Sequence, residues 1–172
     1  MSAERSDRDD DAERSIARLI LREARLLDDW QLDEWLALFT DDGIYWIPID
    51  ASRDPATTAS IIYDNSMRRT LRVEQAMREK RAAQTPRSRT VHVYGNLEVD
   101  AGTDGTATAR CSLLLVEIRA GDWRQAGMGL KNLLAGHVHF RLRQVEGAWK
   151  FVEKRIELID RNLPIESLSY LI

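Results

Sequence analysis

Two short stretches carry side chains able to do chemistry. His137 and His139 stand one residue apart in Gly136-His137-Val138-His139-Phe140-Arg141-Leu142-Arg143. On a β-strand, positions two apart share a face, so both imidazoles can reach one metal ion. Joined by a carboxylate, or with His92 replacing one of them, they satisfy the arithmetic of a two-histidine, one-carboxylate iron site. The second stretch alternates His92, Tyr94, Asn96 and Glu98. With an acid such as Asp41, His92 and Tyr94 would act as proton donors and acceptors on a small substrate in a sheet-lined pocket.

The surrounding pattern favours plainer roles. Period two puts Val138, Phe140 and Leu142 on one face and His137, His139, Arg141 and Arg143 on the other. A metal ion there would sit beside two permanent positive charges. The stretch holds no acid to offset them and no acceptor to orient the imidazoles. No metal ligand is therefore assigned; His137, His139, Arg141 and Arg143 are expected to form a polar sheet face that is solvated or contacts a partner, and the same stripe also fits a basic surface that meets acidic groups of another subunit. Trp123, next to a turn, joins them as a contact candidate. In the other stretch Val91, Val93, Leu97 and Val99 are expected to form the dry face. His92, Tyr94, Asn96 and Glu98 would then face water, as is ordinary for an antiparallel strand. No catalytic residue is assigned on this reading; His92, Tyr94 and Asp41 belong to the enzymatic alternative.

Other chemistries lack their residues. There is no glycine-rich phosphate loop and no G-x-S-x-G elbow. A Rieske cluster needs two cysteines, and the chain has one, Cys111. Cys111 lies in the apolar run Ala109–Leu115, where an inert buried thiol is expected. No cofactor-binding residue is assigned to this chain.

The elements that must position these side chains fall into two blocks. Ile16, Leu19, Ile20, Ala24 and Leu27 form one helical stripe, and Leu32, Trp35, Leu36 and Phe39 form a second. Thr40-Asp41-Asp42-Gly43 ends that helix as a turn, and Ile44–Ile47 reads as a buried strand stopped by Pro48. Residues 50–60 read as loop. Ser66 caps a third helix running to about Arg81. From residue 89 the period changes to two. Strands follow at 89–99, 106–119, within 123–145, and 148–159, joined by Gly-containing turns. The centre of the second, Leu113-Leu114-Leu115-Val116, suggests burial on both faces. Helices first and an antiparallel meander after it predict an α+β fold, with the helices packed on one face of a strongly curved sheet.

Composition sets the outer bounds. A chain of 172 residues with 44% hydrophobic residues suits one domain, 15–172. The charged stretch 1–14 is expected to be a flexible tail. A net charge of −3 gives no reason to expect nucleic-acid binding. No apolar run approaches the roughly 18 residues a membrane helix needs, and a lone cysteine fits a reducing cytoplasm.

Several runs, in order, resemble one family. They are Glu23–Asp28, Leu32–Asp42 and Tyr45-Trp46-Ile47-Pro48, then Ile62-Tyr63-Asp64, Arg68–Val73 and Pro86–Thr90, then Gly95–Val99, Lys154–Asp160 and Asn162-Leu163-Pro164. Together they look like the small (beta) subunit of aromatic-ring-hydroxylating dioxygenases. The match is thinner between Gln125 and Arg143, where the family carries Arg and Asp near a glycine and this chain carries His137 and His139. The resemblance implies a cone-shaped fold of the nuclear transport factor 2 / ketosteroid isomerase type. It implies a non-catalytic role in degrading aromatic compounds. The large (alpha) subunit partner would hold the Rieske [2Fe-2S] cluster and the mononuclear iron, fed by electrons from NAD(P)H. Three small subunits would form a trimer under three large ones. The alternative is a stand-alone isomerase, dehydratase or cyclase on the same fold, using His92, Tyr94 and Asp41 in an open pocket.

Overall fold

The computed structural model describes residues 2–78, 87–119, 121, 124, 129–163 and 170–172. Trp123, Pro86, Pro164 and the expected end of the third helix lie outside them. The helices are α1 (Ser2–Asp28), α2 (Leu32–Leu36) and α3 (Ser66–Arg78). The strands are β1 (Phe39–Pro48), β2 (Ser60–Asp64), β3 (Arg89–Ala101), β4 (Thr106–Ile118), β5 (Lys131–Val145) and β6 (Ala148–Leu158). They form one sheet in the order β2-β1-β6-β5-β4-β3. All pairings are antiparallel except β1 with β6. The sheet curls so that α1 packs against both β3 and β6. The expected α+β architecture is therefore observed.

α1 follows its apolar stripe. Ile16, Ile20, Ala24 and Leu27 are all buried. The helix also runs upstream to Ser2, through the stretch expected to be a tail. Ion pairs one turn apart, from Arg14 to Asp10 and Asp11, suit a helix there. α1 ends in a reversal at Trp30, whose φ is +57°. The Gln31 N–H reaches back to the Leu26 carbonyl, and the Trp30 N–H to Leu27. This closure satisfies the helix's last carbonyls. It also sets Asp28 against β3, and the Trp30 indole donates to the Ser88 carbonyl at 3.1 Å.

The second helix is shorter than its stripe suggests. Phe39 leaves it and starts β1, pairing with Phe151. Thr40 to Gly43, expected as a turn, form a bulge between the Phe39 and Ile44 pairings. Arg69 on α3 supports the bulge by donating to the Gly43 and Thr40 carbonyls. Its guanidinium lies over the Phe39 ring at 4.3 Å. β2 was not expected; it falls in a five-residue segment between a loop and α3. The cap of α3 is Asn65 rather than Ser66, because the Asn65 side chain accepts the Arg68 N–H.

β3 reverses its expected faces up to Gly95 and keeps them from Leu97 onward. Thr90, His92 and Tyr94 point inward, while Val91 and Val93 are 56% and 48% exposed. A bulge between Gly95 and Glu98 then shifts the phase, with Asn96 at φ +53°. An extra residue in a strand turns every later side chain to the other face. Leu97 and Val99 therefore face inward, and Glu98 and Asp100 outward. β4 differs in a similar way: Leu113 and Leu115 are buried, but Leu114 is 42% exposed. β5 keeps the expected alternation, with Val138, Phe140 and Leu142 in the core. Gly136 is needed where β5 meets β6, since a Cβ there would lie 2.6 Å from the Glu157 carbonyl oxygen.

Candidate functional site

The side chains with the most chemical potential are inside the sheet. Glu23 on α1 and Lys154 on β6 are both fully buried and 2.5 Å apart. Burial pushes the Lys154 ammonium down, and Glu23 opposes that shift. Glu23 also accepts from the Trp35 indole at 2.8 Å and the Tyr94 hydroxyl at 2.7 Å. Burial, then the Glu23 charge, holds the Tyr94 phenol well above its ordinary value. Lys154 donates to the Ile172 carbonyl at 2.8 Å, and the Tyr45 hydroxyl donates to the same oxygen at 3.0 Å. A buried charge is tolerated only when it is paired and hydrogen-bonded, and this network meets both conditions.

A second cluster lies on the same inward face. His92 Nδ1 is 2.6 Å from Asp28 Oδ1. Asp28 also accepts from the His92 N–H and from the Thr90 hydroxyl at 2.9 Å. Burial opposes ionisation of Asp28, but the His92 and Thr90 hydrogen bonds outweigh it and hold its carboxyl below the ordinary 3.8. His92 Nε2 is buried with no hydrogen-bond partner among the described residues. Sequence reasoning paired His92 and Tyr94 with Asp41. The structure pairs His92 with Asp28 and Tyr94 with Glu23, and leaves Asp41 exposed in the β1 bulge.

Acid–base chemistry needs room for a substrate, and among the described residues the centre of the interior is closely packed. Trp35, Phe39, Tyr45, Phe140 and Phe151 interlock with ring centroids 5.0–5.5 Å apart. Between Leu27, Trp30, Leu32, Thr90 and Tyr170 a cavity of about 10 Å³ remains, about enough for one water. Cys111 is buried, and burial pushes its thiol up to about 12, so it is no nucleophile.

The histidines of β5 face outward. His137 and Arg141 are exposed and His139 is half-buried. The strand itself holds no acid, as the sequence shows, but its neighbours supply several. Glu157 on β6 lies opposite His137 and 3.7 Å from His139 Nε2. Arg155 pairs with Glu157, Arg143 with Asp42, and Arg110 with Glu98. The face is therefore mixed in charge rather than a basic stripe. Burial and then the Arg155 charge lower the His139 pKa, so its imidazole favours the neutral form. No cluster of three or more His, Cys, Asp or Glu suited to a metal ion occurs among the described residues. Two open clefts of about 430 and 470 Å³ lie along this charged end of the sheet.

At its other end the outer face is apolar. Val91, Val116 and Leu133 make one cross-strand row, and Val93, Leu114 and Ala135 the next. Leu133 is 62% exposed. Sequence reasoning missed this patch because it assigned Val91 and Val93 to the core.

Among the described residues, the site therefore consists of a curved sheet over a closely packed interior, with an exposed apolar outer face. The fold is shared with an NTF2-like protein from Novosphingobium aromaticivorans, with TM-score 0.60 and 19% identity over 92% of this chain and 87% of that one. The family described as ring hydroxylating beta subunit matches residues 22–164, and the chain belongs to that family. It is 33% identical over 143 residues to the small oxygenase component of the p-cumate 2,3-dioxygenase system of Pseudomonas putida, covering 81% of this chain and 75% of that one. The beta subunit of benzoate 1,2-dioxygenase from Burkholderia mallei superposes with TM-score 0.70 at 25% identity, covering 91% of this chain and 95% of the other. These relatives are small subunits of multicomponent aromatic dioxygenases, so the family implies an alpha-subunit partner. They favour the subunit reading over the stand-alone enzyme. No helix among the described residues is long and apolar enough to cross a membrane.

Proposed function

We propose that this chain is a structural, non-catalytic small subunit that trimerises and supports large subunits carrying a Rieske cluster and a mononuclear iron. It works in the cytoplasm, in aromatic compound degradation. The observation that carries the reading is the pairing of a closely packed interior, among the described residues, with two apolar rows left open on the outer face. A monomer rarely exposes such a contiguous patch without a partner. The occupant we assign to it is a neighbouring copy of the chain. Beyond the apolar rows the face carries both charge signs, from Glu98, Arg110, Arg155 and Glu157, so it can complement a copy of itself. His137, His139, Arg141 and Arg143 lie at that charged end and are its candidate contacts. Trp123 stays a candidate on sequence grounds alone.

Sedimentation equilibrium tests this. The unmodified chain should sediment as a trimer. Val93→Asp with Leu114→Asp should give a folded monomer, because both side chains are already solvent-exposed within one chain. A trimer that survives the double substitution would remove the apolar rows from the assembly.

A further inference from the structure

The two clefts at the charged end of the outer face share three lining residues, Asp100, Thr108 and Arg141. Most charges around them are already matched within the chain. Arg110 holds Glu98 at 2.5 Å, Arg143 holds Asp42 at 2.9 Å, and Arg155 holds Glu157 at 3.1 Å. Asp100 and Arg141 differ. Both are exposed, and neither side chain makes a hydrogen bond or ion pair among the described residues. The strand register puts them in one row, Asp100–Thr108–Arg141–Glu153. Uncharged Thr108 stands between them, and two interstrand spacings, about 10 Å, separate their backbones. Glu153 stands opposite Arg141 on the neighbouring strand, so its own chain balances part of its charge. Asp100 has only Thr108 beside it on β4.

We propose that a second copy of the chain supplies both missing partners, with Asp100 of one copy paired to Arg141 of the next. This rests on the self-association proposed above and names its polar contact. The cleft that the two side chains border is open to an incoming chain. The row also lies on the same face as the apolar rows. Leu114 and Thr108 are six residues apart on β4, about 20 Å. That distance falls inside a standard interface patch of roughly 800 Å² per partner. The charge pattern has a direction: the unmatched acid sits on edge strand β3 and the unmatched base on β5. A copy whose β3 meets the β5 side of its neighbour brings opposite charges together. Slipping the contact along the strands by one row would set Arg141 against Glu98, which Arg110 already holds. The pair therefore fixes register more than strength. An exposed ion pair adds little affinity, whereas like charges forced together at an interface are costly.

Charge exchange, read by sedimentation equilibrium on the full chain, tests the pair. Asp100→Arg alone sets two arginines against each other, and Arg141→Asp alone sets two aspartates. Each should raise the concentration at which the assembly half-dissociates at least ~10-fold. Asp100→Arg with Arg141→Asp should return it to within ~3-fold of the unmodified chain, as coupled positions do. A second measurement removes the charges without repulsion. The unmodified assembly should weaken as salt rises from about 0.05 to about 1 M, and Asp100→Asn with Arg141→Gln should reduce that dependence. An unmodified chain that stays monomeric would overturn the self-association and this pair together. An assembly unmoved by the single reversals, weakened further by the double exchange, or equally salt-dependent without the two charges would overturn the pair alone and leave the apolar rows standing.

Discussion

Replacing Lys154 with methionine removes one partner of the fully buried pair while keeping an unbranched side chain. Glu23 is then left with two neutral donors, the Trp35 indole and the Tyr94 hydroxyl. Ile172 keeps the Tyr45 hydroxyl. Removing one side of a buried pair costs about 3–5 kcal/mol, because the other charge stays behind without compensation. Glu23→Gln should cost a similar amount, since it strands the ammonium. Independent losses would sum to roughly 6–10 kcal/mol in the double variant. The structure predicts otherwise. Glutamine can still accept from Trp35 and Tyr94, and no buried charge is left, so the double variant should be more stable than either single one. Urea unfolding followed by tryptophan fluorescence measures all four corners of the cycle. A Lys154→Met loss below about 1 kcal/mol, the level of an exposed pair, would refute the reasoning. Additive losses in the double variant would refute it too.

Two further outcomes follow from the geometry. Asp28→Asn should lower stability at neutral pH by about 1.5–3 kcal/mol, the worth of a hydrogen bond to a charged group. The folded Asp28 carboxyl lies below its ordinary value, so its contribution is complete above about pH 4 and is lost as pH falls through the folded pKa. Unfolding curves of the two chains should therefore converge in acid, and a gap that widens there would contradict the assignment. His137→Gln with His139→Gln should leave the iron and zinc content of the purified chain unchanged by elemental analysis; a loss of bound metal would restore the metal reading of this strand.

Periodic elements were legible in the sequence. The α1 stripe of Ile16, Ile20 and Leu27 and the β5 alternation of Val138, Phe140 and Leu142 reach the core as their spacing predicts. The phase of β3 was not legible, because it turns on a bulge that Asn96 permits by adopting a positive φ. A single residue in that conformation leaves almost no trace in a hydrophobicity pattern. The interior network was missed for a different reason. Glu23 and Lys154 are 131 residues apart and read locally as ordinary surface charges. One signal was present. Glu23 follows Ile16 and Ile20 at helical spacing, and Lys154 shares its alternation with Ile156 and Leu158. A charge at a position the periodicity assigns to the core calls for a buried partner. The Asp28–His92 contact depended on the α1 reversal at Trp30, a non-glycine residue with positive φ that no turn rule singles out.

Co-expression of this chain with a Rieske-type large subunit, followed by mass measurement of the purified assembly and of its iron, tests the central claim most directly. The account predicts a stable mixed oligomer with equal numbers of the two chains. All the iron should be lost when the large subunit is removed. A chain that never co-purifies with such a subunit, or that oxidises an aromatic compound by itself, would contradict it.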